Sequence, residues 1–341
     1  MNARLFGNLS PREFLRRHWQ KRPLFVRQAF PGFAGVIDKR ALAALATRDD
    51  VESRIVECRG SRWNTRFGPF KRNFPVKARN WTLLVSGVNL HVAAADELLR
   101  RFSFIPQARL DDVMVSYAVA GGGVGPHVDS YDVFLLQGPG RRRWRVLDDE
   151  YLCEAGDLLY LPPGVAHDGV ALEECTTCSI GFRAPRGAEL GAAFLDWLHE
   201  RGLPDAQYRD PRLAPVVRPA RLPPEMIAFA FGILRKIRFS RADVADFLGR
   251  YLSAPKPYVV FKPSPGRGTE VQLDPKTQLL YSGARFFING ESFTARHPQA
   301  IRELADRRRI RAARLAPVAE LVAEWRRAGY VHYAKKERRH G

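Results

Sequence analysis

The sequence predicts an α+β protein of two or three domains, built around a small antiparallel β-sandwich or barrel. Three observations carry this. From about residue 111, short runs rich in β-branched, aromatic and leucine residues follow closely on one another: VMVSYAVA, YDVFLLQG, RRRWRVL, DLLYLPPG and TTCSIGFRA. Turns rich in Gly and Pro (GGGVGP, QGPGR, PPG) punctuate them, which is the texture of closely spaced antiparallel strands. Helical apolar spacing lies on both sides of this block, and 341 residues exceed one ordinary domain.

The elements follow in order. Ser10 caps a helix through PREFLRRHWQ, with Pro11 at its first position and Glu13 at the capping-box spacing. RPLFVRQAF reads as a strand and DKRALAALA as a helix. After the strand-rich block, in which LQGPGRRRW reads as a hairpin, GAELGAAFLDWLHERG reads as a helix. The Pro- and charge-rich stretch LPDAQYRDPRLAPVVRPARLPPE is a boundary. EMIAFAFGILRKI and RADVADFLGRYL are helical. The last third is α+β, with strands GTEVQL and QLLYSGARFFINGESFTA around an NGE turn and helices in HPQAIRELADRRRI and APVAELVAEWRRAGYVHY. The tail AKKERRHG reads as disordered.

A net charge of +19 attracts nucleic acid and acidic partners, although Arg-rich composition alone produces such a charge. Cys58, Cys153, Cys175 and Cys178 are too few for a disulfide framework. Cys175 and Cys178 form a CxxC with no second pair to complete a zinc site, and TTCSIGF reads as a buried strand. The N-terminus lacks a signal-peptide apolar core, and no apolar run approaches a membrane span. The expectation is a cytoplasmic protein.

The chemistry concentrates in GGGVGPHVDSYDVFLLQGPGRRRWRV and GDLLYLPPGVAHDGVA. His127 and Asp129 lie two apart, so a strand points both to one face. His167 follows after enough chain to return beside them. Two His and one carboxylate bind a metal while leaving one side open, as in non-haem Fe(II) oxygenases. Zinc hydrolases also use this set, so the three residues alone leave the metal open. A 2-oxo acid on such a metal needs a cation for its far carboxylate, and Arg pairs one bidentately. Alternation puts Arg142 on the face of Trp144 and Val146, with Arg141, Arg143 and Arg145 opposite. Arg142 is therefore the candidate. Ser116, on the strand before the metal motif, reads by itself as a satisfied core serine.

These motifs, with SIGFRAP and the N-terminal FLRRHWQKRPLFVR, resemble the bacterial ribosomal oxygenases of the JmjC, cupin-like group. The likeness is strongest to the branch that hydroxylates an arginine of a large-subunit ribosomal protein. INGE and the last helix before AGYVHY are similar to the group's C-terminal region. The resemblance implies a double-stranded β-helix over residues 1–204. It implies a linker and helical dimerisation region over 205–258 and a winged-helix domain over 259–341. It implies Fe(II) on His127, Asp129 and His167, 2-oxoglutarate on Ser116 and Arg142, O₂ as oxidant, and hydroxylation at C3 of an arginine side chain. One departure stands out: only LDDEYLCEA (147–155) separates RRRWRV from GDLLYLPPG, where the group carries a longer acidic insert. Read as a loop between strands, this shortening bears on substrate choice.

Both the chain and its expected ribosomal substrate are basic. Recognition is therefore assigned to acidic residues near the cleft, with Asp132, Asp148, Asp149 and Glu150 as candidates, or to ribosomal RNA on the basic surface. The competing readings are hydroxylation or demethylation of histidine or lysine, a nucleic-acid-binding cupin without activity, and a zinc or manganese cupin.

Overall fold

The computed structural model describes residues 5–60, 62–71, 79–263 and 266–334; the tail expected to be disordered lies, but for its first residue, outside them. Local chemistry starts the fold as expected. Ser10 Oγ accepts from the Glu13 N–H to cap α1 (Pro11–Arg17), and the Glu13 carboxylate accepts from the Ser10 N–H. Strand β1 (Leu24–Val26) and helix α2 (Lys39–Leu45) follow. Then come β2 (Ser53–Arg59), β3 (Arg62–Phe67), β4 (Trp81–Val85) and helix α3 (Ala93–Arg100).

The strand-rich block comprises β5 (Leu110–Ala118), β6 (His127–Val128), β7 (Val133–Gln137) and β8 (Arg142–Val146), then β9 (Asp149–Cys153), β10 (Leu158–Leu161), β11 (Ala166–Ala171) and β12 (Cys175–Phe182). They form two antiparallel sheets. The larger runs β1-β10-β7-β12-β5-β4-β2-β3, and the smaller runs β6-β11-β8-β9. This is the double-stranded β-helix.

The faces of the larger sheet do different work. Phe134 and Leu136 of β7, with Val113, Val115 and Tyr117 of β5, meet Phe14, Leu42 and Leu99 of the helices. Val133, Leu135, Leu159 and Leu161 point the other way and pack on Trp144, Val146 and Cys153 of the smaller sheet. Period-2 alternation thus builds two apolar layers from one sheet, and the second forms part of the barrel lining.

Two expectations are corrected here. LQGPGRRRW is not a hairpin, because β7 pairs with β10 and β12 while β8 pairs with β11 and β9. The loop carries the chain across the sandwich, with Gly140 at φ 79° against the Glu174 backbone, so turn composition matched a hairpin while the pairing lay elsewhere. Residues 147–155 are also more than a loop. A two-residue turn with Leu147 at φ 53° leads into the edge strand β9.

Helix α4 (Gly187–Glu200) is followed by residues without helix or strand, then α5 (Pro224–Leu234) and α6 (Arg241–Ser253). Phe194 of α4 meets Phe247 of α6 at 5.2 Å. The C-terminal part holds β13 (Glu270–Leu273), β14 (Leu279–Ser282), β15 (Arg285–Ile288) and β16 (Glu291–Thr294). It ends with α7 (Pro298–Arg307), β17 (Arg309–Arg311), α8 (Ala319–Ala328) and β18 (Val331–Tyr333). Asn289 and Gly290, at φ 49° and 93°, make the expected turn between β15 and β16. This part has its own core, centred on Phe286, Ile301, Leu304 and Trp325. Gln107 donates to the Ala305 carbonyl, joining this part to the barrel, and Arg183 donates to the Leu252 carbonyl, joining α6 to it.

Candidate metal centre and co-substrate pocket

His127 and His167 are direct register partners of β6 and β11. Their rings stand 4.2 Å apart. Asp129 Oδ2 lies 3.7 Å from His167 Nε2, and one ligand atom from each of the three residues falls within 4.8 Å of the others. Val128, between the first two, is exposed, as the alternation of a strand requires.

Backbone carbonyls orient both imidazoles. Nδ1 of His127 lies 2.9 Å from the Gly125 carbonyl, and Nδ1 of His167 lies 2.9 Å from the Val165 carbonyl. An Nδ1–H donating there leaves each Nε2 free for a metal. Burial, and then the neighbouring His127, hold the His167 pKa below its usual value, which favours the neutral, ligating form. Gly125 sits at φ 83°, and a Cβ there would stand 2.9 Å from the Trp63 indole. The glycine-rich approach therefore lets the chain pass Trp63 and still present its carbonyl to His127.

The three residues line a cavity of about 340 Å³. Its inner end holds Arg142, Ser116, Thr82, Thr177, Leu135 and Trp144. Arg142 is buried, while Arg141, Arg143 and Arg145 are exposed, and Arg141 pairs with Glu173 at 2.9 Å. The Arg142 guanidinium lies 5.6 Å from the Trp144 ring. Its Nε and Nη2 are buried and have no protein hydrogen-bond partner. Such a group is costly unless an anion completes it. Ser116 Oγ donates to the Thr177 carbonyl at 3.4 Å. Thr82 Oγ1 is fully buried without a partner. The inner end thus gathers the unpaired donors that an anion would satisfy.

The outer end carries the opposite sign. Glu52, Asp111 and Asp112 line it, against Arg54 and Lys256. Asp112 accepts from the Gly87 N–H at 2.8 Å, and burial raises its pKa. These carboxylates, and not the acidic candidates read from the sequence, line the cavity. Asp132 is fully buried on the helical side, where it accepts from Tyr160 Oη at 2.6 Å, Gln20 Nε2 at 3.0 Å and Arg109 Nη2 at 3.2 Å. Asp148, Asp149 and Glu150 sit in the turn and edge strand and do not line the cavity. A signal for Asp112 as a cavity residue was present: Asp112, Met114 and Ser116 are two apart on one strand and share a face.

The two cysteines of the CxxC fall outside this chemistry. Cys178 lies in the helix-side core, with its thiol pushed up to about 12 by burial, and Cys175 packs with Ala118 and Ala171. Among the described residues no helix is long and apolar enough to cross a membrane.

Comparison with known proteins agrees with this geometry. Residues 97–190 match the JmjC domain family and residues 236–332 match the ROXA-like winged helix. The chain is 34% identical over 328 residues to the ribosomal protein uL16 3-hydroxylase of Escherichia coli, covering 86% of this chain and 88% of that one. It is 36% identical over 209 residues to a probable ribosomal oxygenase of Haemophilus influenzae, covering 54% and 52% of the two. The structure of YcfD, a ribosomal oxygenase from E. coli, in complex with cobalt and 2-oxoglutarate superposes with a TM-score of 0.80 at 32% identity. That superposition covers 96% of this chain and 99% of that one.

Proposed function

Because the chain belongs to the JmjC-domain ribosomal oxygenases, we propose that this 2-oxoglutarate-dependent hydroxylase holds Fe(II) on His127, Asp129 and His167 and hydroxylates C3 of an arginine side chain in ribosomal protein uL16. With 2-oxoglutarate and O₂, the iron supplies the oxidant that inserts oxygen into an unactivated C–H bond. The protein residues do the rest. Arg142 pairs the far carboxylate of 2-oxoglutarate, and Ser116 adds a hydroxyl beside it. The outer carboxylates Asp111 and Asp112 hold the cationic head of the substrate side chain. Trp144, Val133 and Leu135 keep the space between apolar.

The observation that carries this reading is the buried Arg142 guanidinium. Two of its nitrogens are unpaired in the same cavity as the metal-ligand cluster. A hydrolytic zinc cupin has no use for such a cation. The outer acidic end favours arginine or lysine over histidine, because histidine is largely neutral at physiological pH.

The test is direct. Incubate the protein with Fe(II), 2-oxoglutarate and purified ribosomal proteins from its source, then locate any added oxygen by mass spectrometry. One oxygen on a uL16 arginine is expected. Oxygen on histidine or lysine, or loss of a methyl group, would move the assignment.

Three further parts belong to the same reading. A second copy of the chain docks on α5, where Ile227, Phe231 and Leu234 are 55%, 61% and 64% exposed and no residue is buried. Phe231→Glu then converts a dimer into a monomer in light scattering, and an unchanged mass would sink the idea. The division into barrel (1–204), helical region (205–258) and winged helix (259–341) stands with it. The basic surface contacts ribosomal RNA in the cytoplasm, so the affinity for RNA should fall steeply with added salt.

A further inference from the structure

Lys256 reaches the active-site cavity from outside the barrel. It lies between α6 and β13, flanked by Pro255 and Pro257. Its Nζ stands 3.6 Å from Asp111 Oδ1 and 3.7 Å from Asp112 Oδ2. The side chain lines the outer end of the cavity and also a groove that continues past Tyr131, Pro185 and Glu189. Arg183 fixes the approach: it donates to the Leu252 carbonyl at 2.6 Å and contacts Asp111 at 3.4 Å. Lys256 is therefore presented to the cavity mouth by a segment tied to the barrel.

Resting on the arginine-hydroxylase reading, we propose that Lys256 is a specificity-determining residue: it occupies the Asp111–Asp112 pair in the free enzyme, and only a cation that binds the pair better takes its place. Both contacts of Lys256 exceed hydrogen-bond length, so the ammonium holds the carboxylates as a point charge. A guanidinium offers a planar fork that forms short, charge-assisted bonds to carboxylates. Arginine thus gains from the exchange. A substrate lysine brings only what Lys256 already provides, and a neutral side chain brings less.

The experiment uses the full-length iron enzyme and two uL16 peptides, identical but for arginine or lysine at the reacting position. Lys256→Met removes the competing charge and keeps the stem. It should lower KM for the arginine peptide by about threefold to tenfold at low salt. It should also narrow the preference for arginine over lysine, because the lysine peptide gains more. Lys256→Arg installs a competitor with the same fork as the substrate and should raise KM for the arginine peptide. Melting curves of both variants verify folding, and the opposite sign expected for Lys256→Arg keeps the test alive if Lys256→Met is unstable. An equal rise in KM for both peptides in Lys256→Met, or no change in either variant, overturns the proposal while wild-type turnover still supports the arginine reading. If the wild type modifies neither peptide, that reading falls and takes the role of Lys256 with it.

Discussion

The two ends of the cavity differ in charge and in how completely the protein satisfies them. At the inner end Arg142 is withdrawn from water with two unpaired nitrogens, and Thr82 has an unpaired hydroxyl. At the outer end the carboxylates have partners: Gly87 and Lys256 for Asp112, Arg183 and Lys256 for Asp111. The difference separates two kinds of site. The inner end carries an unmet need for an anion, so it suits a co-substrate that is the same in every turnover. The outer end is provisionally filled, so it suits a guest that must compete to enter. The candidate metal centre stands between, its two histidines already aimed by backbone carbonyls.

The comparison can be broken in the middle or at either end. Asp129→Ala removes one of three ligands and should take hydroxylation of a uL16 peptide to background, with metal content falling alongside; retained turnover would remove the centre on which both ends depend. Arg142→Met comes next. Breaking a buried ion pair costs roughly 3–5 kcal/mol, which predicts a fall in 2-oxoglutarate affinity of at least about a hundredfold by calorimetry. The ligand-free variant should melt no lower than the wild type, because the unpaired buried guanidinium is gone. Asp112→Asn acts at the other end. It should raise peptide KM by about tenfold while the dissociation constant for 2-oxoglutarate moves little. If both constants move together, the two ends are not separate.

Much of this was legible in the chain because period-2 alternation is a strong physical signal. It placed Arg142 inward and its neighbours outward. The capping box at Ser10 and the Asn289–Gly290 turn were equally local and equally readable. Pairing was not readable. QGPGR has the composition of a hairpin loop, but the chain crosses between sheets there because β7 finds its partners in β10 and β12. Charge was also misleading without depth. Asp132 follows the metal motif closely, yet Tyr160, Gln20 and Arg109 bury it on the wrong side of the sheet. Lys256 was out of reach, since nothing local tells a loop far beyond the metal motif that it will border the mouth.

Thr82 is the subtlest case and gives the smallest predicted effect. Every residue of β4 is buried, so the strand offers no polar–apolar alternation by which to choose a face. The structure chooses it: Trp81, Leu83 and Val85 enter the helix-side core, while Thr82 and Leu84 line the cavity. A buried hydroxyl without a partner costs about 1–3 kcal/mol. Thr82→Val removes that cost while roughly keeping the shape. If Thr82 only supports the fold, the variant should melt lower and bind 2-oxoglutarate normally. If its hydroxyl serves the anion at the inner end, the ligand-free variant should melt at the same temperature or higher. Its affinity for 2-oxoglutarate should then fall about tenfold, the worth of one hydrogen bond to a charged group. Thr82→Ser should restore most of that affinity. Stability and binding therefore move in opposite directions only if the inner end is the anion site that Arg142 indicates.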